Sequence, residues 1–315
     1  VEDNSIYVGN DPSSTSSTAQ YNVGVGVGAM TSITTGDWNT GIGYAALGNN
    51  TSGGTNNSIG FEALLSNTTG GGNSAMGGRA LYLNTTGGDN IAFGTEALYY
   101  NSSGSNNIAM GYKSLFFNTA GARNIAIGIN ALSGDGADTE NDNLAIGINA
   151  LGGAIDGGEY NVAIGNYSLD ANTTGDFNVG LGYSTLTSNT TGTGNNAIGP
   201  NALSANTTGS YNNAIGLATL LSNTTGGWNT ANGYNALTTN TTASGNTGLG
   251  AFALRYNTTG GGNTSVGYKS LESNTTGTRN IAFGYQAYDA ADTENDNLAI
   301  GYDALGGAID GGEFN

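Results

Sequence analysis

Thirteen of the 23 carboxylates in this 315-residue chain fall within residues 135–159 and 289–313, the only concentrated charge in the sequence. Asp138, Glu140 and Asp142 are spaced by two, so an extended loop points all three one way, and Asp156 and Glu159 follow one segment later. Asp292, Glu294, Asp296, Asp310 and Glu313 repeat the arrangement. Oxygen-only ligands in this pattern suit Ca²⁺. The glycine-and-aspartate calcium nonapeptides of other β-rolls are absent, and a solvated acidic loop is the commoner outcome. No other cofactor is expected. The chain has neither cysteine nor histidine, which excludes disulfides, thiolate chemistry, imidazole general-base catalysis and His-ligated metals. Without those residues a Ser or Thr nucleophile needs Lys or a carboxylate as its base, and no such pair stands out, so the chain is not expected to be an enzyme. Formal net charge is -17 and the six basic residues are scattered singly, which leaves no phosphate-neutralising patch and argues against nucleic acid as a partner. No stretch has the length and hydropathy of a membrane span or a signal peptide.

What must position these carboxylates is a repeat. A glycine returns every seventeen residues, at Gly9, Gly26, Gly43, Gly60, Gly77, Gly94, Gly111 and Gly128, and after a longer step at Gly147 the series runs on to Gly301. The unit reads N-x-A-I-G-Y-x-A-L-x-x-N-T-T-G-x-x, and so short a period over a whole chain means one structural unit stacked on itself. Sustained helical spacing of apolar residues is missing, and glycine or a β-branched residue interrupts every few positions. Stretches such as Asn67-Thr68-Thr69-Gly70 have turn chemistry, with side chains that cap the backbone locally. Each unit is therefore read as strand, bend, strand and turn. The expected fold is all-β: a narrow parallel β-solenoid of about 18 coils with about 17 residues per coil, one domain over 1–315. At ~4.8 Å per coil it makes a rod on the order of 85 Å long.

Stacking in register turns positions into columns. The residue before the glycine is aliphatic or Met/Phe almost throughout (Ile42, Ile59, Met76, Phe93, Ile127, Leu181, Val266), and the residue four after it is nearly always Leu, so these two columns are expected to form the core. The third position of the unit is almost always Ala, Gly or Ser, which suggests close approach between neighbouring rods, and a homotrimer is the simplest arrangement. Register also predicts two ion pairs, because Arg123 lies one coil below Asp142 and Arg279 one coil below Asp296.

Tandem N-x-A-I-G followed by Y-x-A-L resembles the head repeats of YadA-type trimeric autotransporter adhesins and related repeats of bacteriophage tail fibres, over all 315 residues. The resemblance implies a left-handed parallel β-roll, three chains packed together, and attachment to a surface, with a receptor or polysaccharide as partner and an extracellular place on a cell surface or virion. The longer NTTG loop departs from the adhesin heads, and no neck, heptad stalk or anchoring barrel is present in the sequence. The expected function is a structural or adhesive fibre segment. The alternatives are a self-assembling extracellular filament or coat subunit and, further behind, an ice-binding protein. Residues 124–160 and 280–315 are duplicated acidic-loop coils, and Phe314-Asn315 stands where Tyr160-Asn161 opens a new run of coils. A longer fibre, or subunits stacked end to end, is the expectation from that pattern.

Aromatic residues recur in two columns, Tyr44, Tyr112, Tyr183, Tyr234, Tyr268, Tyr285 and Tyr302 after the glycine, and Tyr21, Trp38, Tyr160, Phe177, Tyr211, Trp228 and Phe314 before the opening Asn. Packing on neighbouring coils is expected over stacking on sugars. The many NTT triplets fit the N-glycosylation pattern, but the repeat explains them as turns.

Overall fold

A strand of three residues cannot hold itself together, so each coil of this chain needs a coil beside it. The computed structural model describes residues 5–9, 18–134, 139–153, 156–290 and 293–307. The chain divides into two units, 1–160 and 161–315. The first holds β1 (Ile6–Gly9), β2 (Val23–Gly26), β3 (Thr40–Ile42), β4 (Asn57–Ile59), β5 (Ser74–Met76), β6 (Ile91–Phe93), β7 (Ile108–Met110), β8 (Ile125–Ile127) and β9 (Leu144–Ile146). The second holds β10 (Val162–Ile164), β11 (Val179–Leu181), β12 (Asn196–Ile198), β13 (Asn213–Ile215), β14 (Thr230–Asn232), β15 (Thr247–Leu249), β16 (Thr264–Val266), β17 (Ile281–Phe283) and β18 (Leu298–Ile300). Within each unit every strand pairs in parallel with the next, and the pairing follows the sequence repeat, as in Ile91↔Ile108 and Asn213↔Thr230. The protein is an all-β parallel solenoid with about seventeen residues per coil.

Alternation along a strand decides what the core contains. From β2 to β18 the second residue of each strand points inward and is small: Ala92, Ala109, Ala126, Ala197 and Ala214 are fully buried. The Ala and Leu that follow the glycine, such as Ala46-Leu47 and Ala236-Leu237, complete the interior. The flanking strand residues point outward. Ile42 is 39% exposed, Met76 49% and Phe283 55%, so the column before the glycine is a surface column and not the core expected for it. The same alternation corrects the reading of the small third position. Its Ala, Gly and Ser side chains face their own coil, where a large residue would not fit, and give no evidence of a neighbouring rod.

Polar interiors need closed hydrogen-bond ladders. The opening Asn of each coil supplies one: Asn39 N donates to Asn22 Oδ1 at 2.8 Å, Asn56 N to Asn39 Oδ1 at 3.0 Å, and Asn178 N to Asn161 Oδ1 at 3.0 Å. The Asn of NTTG supplies a second. Asn67 Nδ2 donates to Asn50 Oδ1 at 2.8 Å and to Gly70 O at 2.9 Å. Between strand and corner the backbone passes through Gly43 at φ 137°, where a Cβ would collide with the Gly60 carbonyl oxygen. The expected second strand does not form. The Ala-Leu stretch is a turn that places Ala45 and Leu47 in the left-handed region, at φ 55° and 53°, a conformation held by the stack against a cost of about 1–2 kcal/mol per residue.

Candidate functional site

The acidic-loop coils are where the repeat departs from itself. Arg123 Nε and Nη2 donate to Asp142 Oδ1 and Oδ2, each at 2.7 Å, and Arg279 makes the same fork to Asp296 at 2.6 Å. Both pairs therefore join the residues that the column register aligns. Hydrogen bonds from the guanidinium, aided by its charge, hold Asp142 and Asp296 below the ordinary carboxylate range.

Glu140 and Asp142 do not share one direction. Asp142 faces Arg123 on the outside, whereas Glu140 is 6% exposed and its Oε1 accepts from Gly157 N at 2.9 Å. Alternation fails because Asp142 is left-handed, with φ 61°. Glu159 accepts from Asn141 Nδ2 at 2.9 Å, and Asp156 is exposed. In the second unit Glu294 is half-buried and Asp296 is held by Arg279. Asp138, Asp292, Asp310 and Glu313 lie outside the described residues. Among the described residues no three carboxylates converge, so these alone do not make a Ca²⁺ cage.

A buried acceptor is left over beside each acidic coil. The NTTG ladder stops where the next coil has Ala in place of Asn, at Ala137 and Ala291 in the sequence, and Asn118 Oδ1 and Asn274 Oδ1 have no hydrogen-bond partner. Glu140 Oε2 is likewise buried without one.

Charge pairing extends beyond the two expected pairs. All six basic residues have a carboxylate partner, and in the first unit Glu62, Arg79, Glu96 and Lys113 occupy one column in alternating sign, with Arg79–Glu62 at 2.8 Å and Lys113–Glu96 at 3.6 Å. The seventeen-residue register applied to that column would have found them. With every cation paired, no basic cluster is left free for a polyanion.

The rings stack coil on coil. Tyr21 and Trp38 lie 4.1 Å apart, Tyr44 and Phe61 5.4 Å, Tyr211 and Trp228 5.5 Å, and Tyr268, Tyr285 and Tyr302 are spaced at 5.2 Å. A further row, Tyr82, Tyr99 and Phe116, escaped the column reading because its rings follow the core Leu in only three coils. Faces used for mutual stacking are not free for sugar rings. Phe314 lies outside the described residues.

The NTTG asparagines are also committed. Asn67, Asn84, Asn189 and Asn206 are fully buried in their ladders, so their amides are closed to glycosylation in the folded chain. The first Thr of each triplet is engaged too, as when Thr68 Oγ1 donates to Thr85 O at 3.0 Å, which removes it from any exposed threonine array.

What remains open is the outer face of the strands. Their first and third positions form two columns with no Asp, Glu, Lys or Arg, from Ile6 and Val8 to Leu144 and Ile146 in one unit and from Val162 and Ile164 to Leu298 and Ile300 in the other. Nine strands of ~10 Å at ~4.8 Å spacing make a face on the order of 400 Å² per unit, polar positions included, the size of the largest patch that monomers leave to water. Among the described residues no helix is long and apolar enough to cross a membrane. No family model matches the chain, and no curated protein matches it.

Proposed function

We propose that the chain is a non-enzymatic structural segment of an extracellular fibre, trimeric and used for attachment at a cell surface or virion. The observation that carries this reading is the uncharged outer face of the strands, where Ile, Met and Phe side chains lie exposed on a protein of net charge -17. Burial between copies removes that surface from water at roughly 25 cal/mol per Å² of apolar area. The small interior residues give each coil a thin core, and the paired cations leave no basic cluster free for a polyanion. Attachment rests on the likeness of the N-x-A-I-G repeat to adhesin heads and tail fibres, and on the capacity of a repeated surface for weak contacts at many points.

Sedimentation velocity tests the assembly. A species of three times the 31.4 kDa chain mass is expected at micromolar concentration, and a stable monomer sinks the reading. Attachment is read separately, by coating beads with the protein and scoring their retention on cells and polysaccharide films. Retention no better than that of bare beads removes the adhesive role and leaves a scaffold.

A further inference from the structure

The outer face is not uniformly apolar, and its polar residues are grouped. In the second unit the first strand position runs from Val162 and Val179 through five polar residues, Asn196 to Thr264, and returns to Ile281 and Leu298. The third position is apolar from Ile164 to Ile300 with one exception, Asn232, whose side chain is exposed between Ile215 and Leu249 in the flanking strands. Thr230 and Asn232 thus make β14 the one strand of that unit polar at both outward positions. The first unit has its own block, Thr40, Asn57 and Ser74, between Val23 and Ile91.

We propose that this face is covered by a second copy of the chain, and that the polar block fixes the two copies parallel and level with each other. The inference rests on the self-association proposed above. A second copy fits because every carboxylate lies off these columns, so two chains of net charge -17 can meet here without opposing charges. At equal height Asn232 meets Asn232, and an amide both donates and accepts, so the pair satisfies itself. A shift of one coil sets Asn232 against Ile215 or Leu249 and buries the amide unpaired. Reversing one copy about β14 keeps the second unit's block in step, because it is centred there, but the first unit's block sits off centre, and reversal about β5 sets Thr40 against Ile108 and Asn57 against Ile91. A single polar residue in an apolar seam fixes register in coiled coils by the same logic. Level copies close into a ring of point symmetry, whereas staggered ones grow into open helical filaments, so the block selects a closed oligomer over a sliding one.

The chain has no cysteine, which makes cross-linking clean. Ile215→Cys and Leu249→Cys chains, differently tagged and assembled together, are joined with a bismaleimide shorter than the ~10 Å that separates two coils. Products linking 215 to 215 and 249 to 249 are expected. Products linking 215 to 249 should be at least about tenfold scarcer, since one buried unpaired amide shifts a population by that much. Repeating the experiment with Asn213→Ile, Thr230→Ile and Asn232→Leu added to both chains should bring the yields towards equality, with circular dichroism confirming that the surface changes leave the fold intact. An oligomer that gives matched and mismatched products alike, gives none on this face, or keeps its selectivity without the polar block overturns the inference while the fibre reading stands. A monomer in sedimentation overturns both.

Discussion

Residues 138–143 and 292–297 carry the same sequence, Asp-Thr-Glu-Asn-Asp-Asn, yet the two units fill the coil behind it differently. In the first unit the strand register advances by nineteen residues, Leu132 occupies the core column, Glu140 is buried, and Asn143 Nδ2 donates to Gly158 O at 2.9 Å. In the second the register advances by seventeen, Tyr288 fills the core column, Glu294 is half-buried, and Asn297 Nδ2 donates to the Tyr288 hydroxyl at 2.7 Å. The outer fork of Arg to Asp is the same in both. Outer columns depend only on which residues the register stacks. The interior depends on volume, and a tyrosine in one unit stands where the other has a leucine and an inward glutamate.

The largest effect is expected from exchanging the core residues. Tyr288→Leu removes most of a fully buried ring and takes one of the acceptors of Asn297 Nδ2, and should cost about 3 kcal/mol in chemical denaturation. Leu132→Tyr forces a ring into a position where a leucine is already fully buried, at about 1–3 kcal/mol. If both substitutions leave the denaturation midpoint unchanged, the two interiors are interchangeable and the comparison has no content.

Alkali should separate the units next. Burial, and then the charge of Glu294, push the Tyr288 hydroxyl up from 10.0 to about 12. Because the folded value is raised, its contribution is fully present below pH 10 and is lost as pH rises from there through about 12. The loss amounts to roughly 2–3 kcal/mol. Amide exchange followed segment by segment should show the coils around Tyr288 opening in this window, and Tyr288→Phe should abolish the window while keeping the ring. Equal opening around Leu132 would mean that the hydroxyl is not the cause.

A smaller contrast lies in the glutamates. Glu140→Gln keeps an acceptor for Gly157 N and replaces the unpartnered Oε2 with an amide donor, so the first unit should gain about 1 kcal/mol at neutral pH. Glu294→Gln, on a half-buried side chain, should stay within about 0.5 kcal/mol. A gain from the second substitution as large as from the first would show that burial does not distinguish them.

The period made the coils, the Leu column and both Arg–Asp forks legible in the sequence, since each needs only register. Which side of a three-residue strand faces inward was not legible. Hydropathy put the Ile127 column in the core and the small Ala126 column against a neighbouring rod, and only the width of a narrow coil reverses the two. Nor could the corner be read: Leu47 in the left-handed region contradicts local preference, and stacking overrides it. The split among the carboxylates was hidden for the same reason. Alternation placed Glu140 and Asp142 together, and the left-handed turn at Asp142 parts them.

The least effect, and the one on which the two units should agree, is the acid response of the outer forks. Hydrogen bonds from Arg123 and Arg279 lower Asp142 and Asp296 beneath their ordinary value of 3.8. A lowered folded value means stability that is present above 3.8 and lost as pH falls from there through the lowered value, in both units alike. The guanidinium side chains are more than half exposed, so salt screens the pairs and their contribution to the global midpoint is small. Amide exchange at Arg123 and Arg279, compared between neutral solution and about pH 3, should therefore rise by similar small factors. Arg123→Ala and Arg279→Ala should each remove the acid response in their own unit and leave the other's intact. A response in one unit alone would mean that the fork depends on the interior behind it, Glu140 in one case and Tyr288 in the other, and that register by itself does not set the outer column.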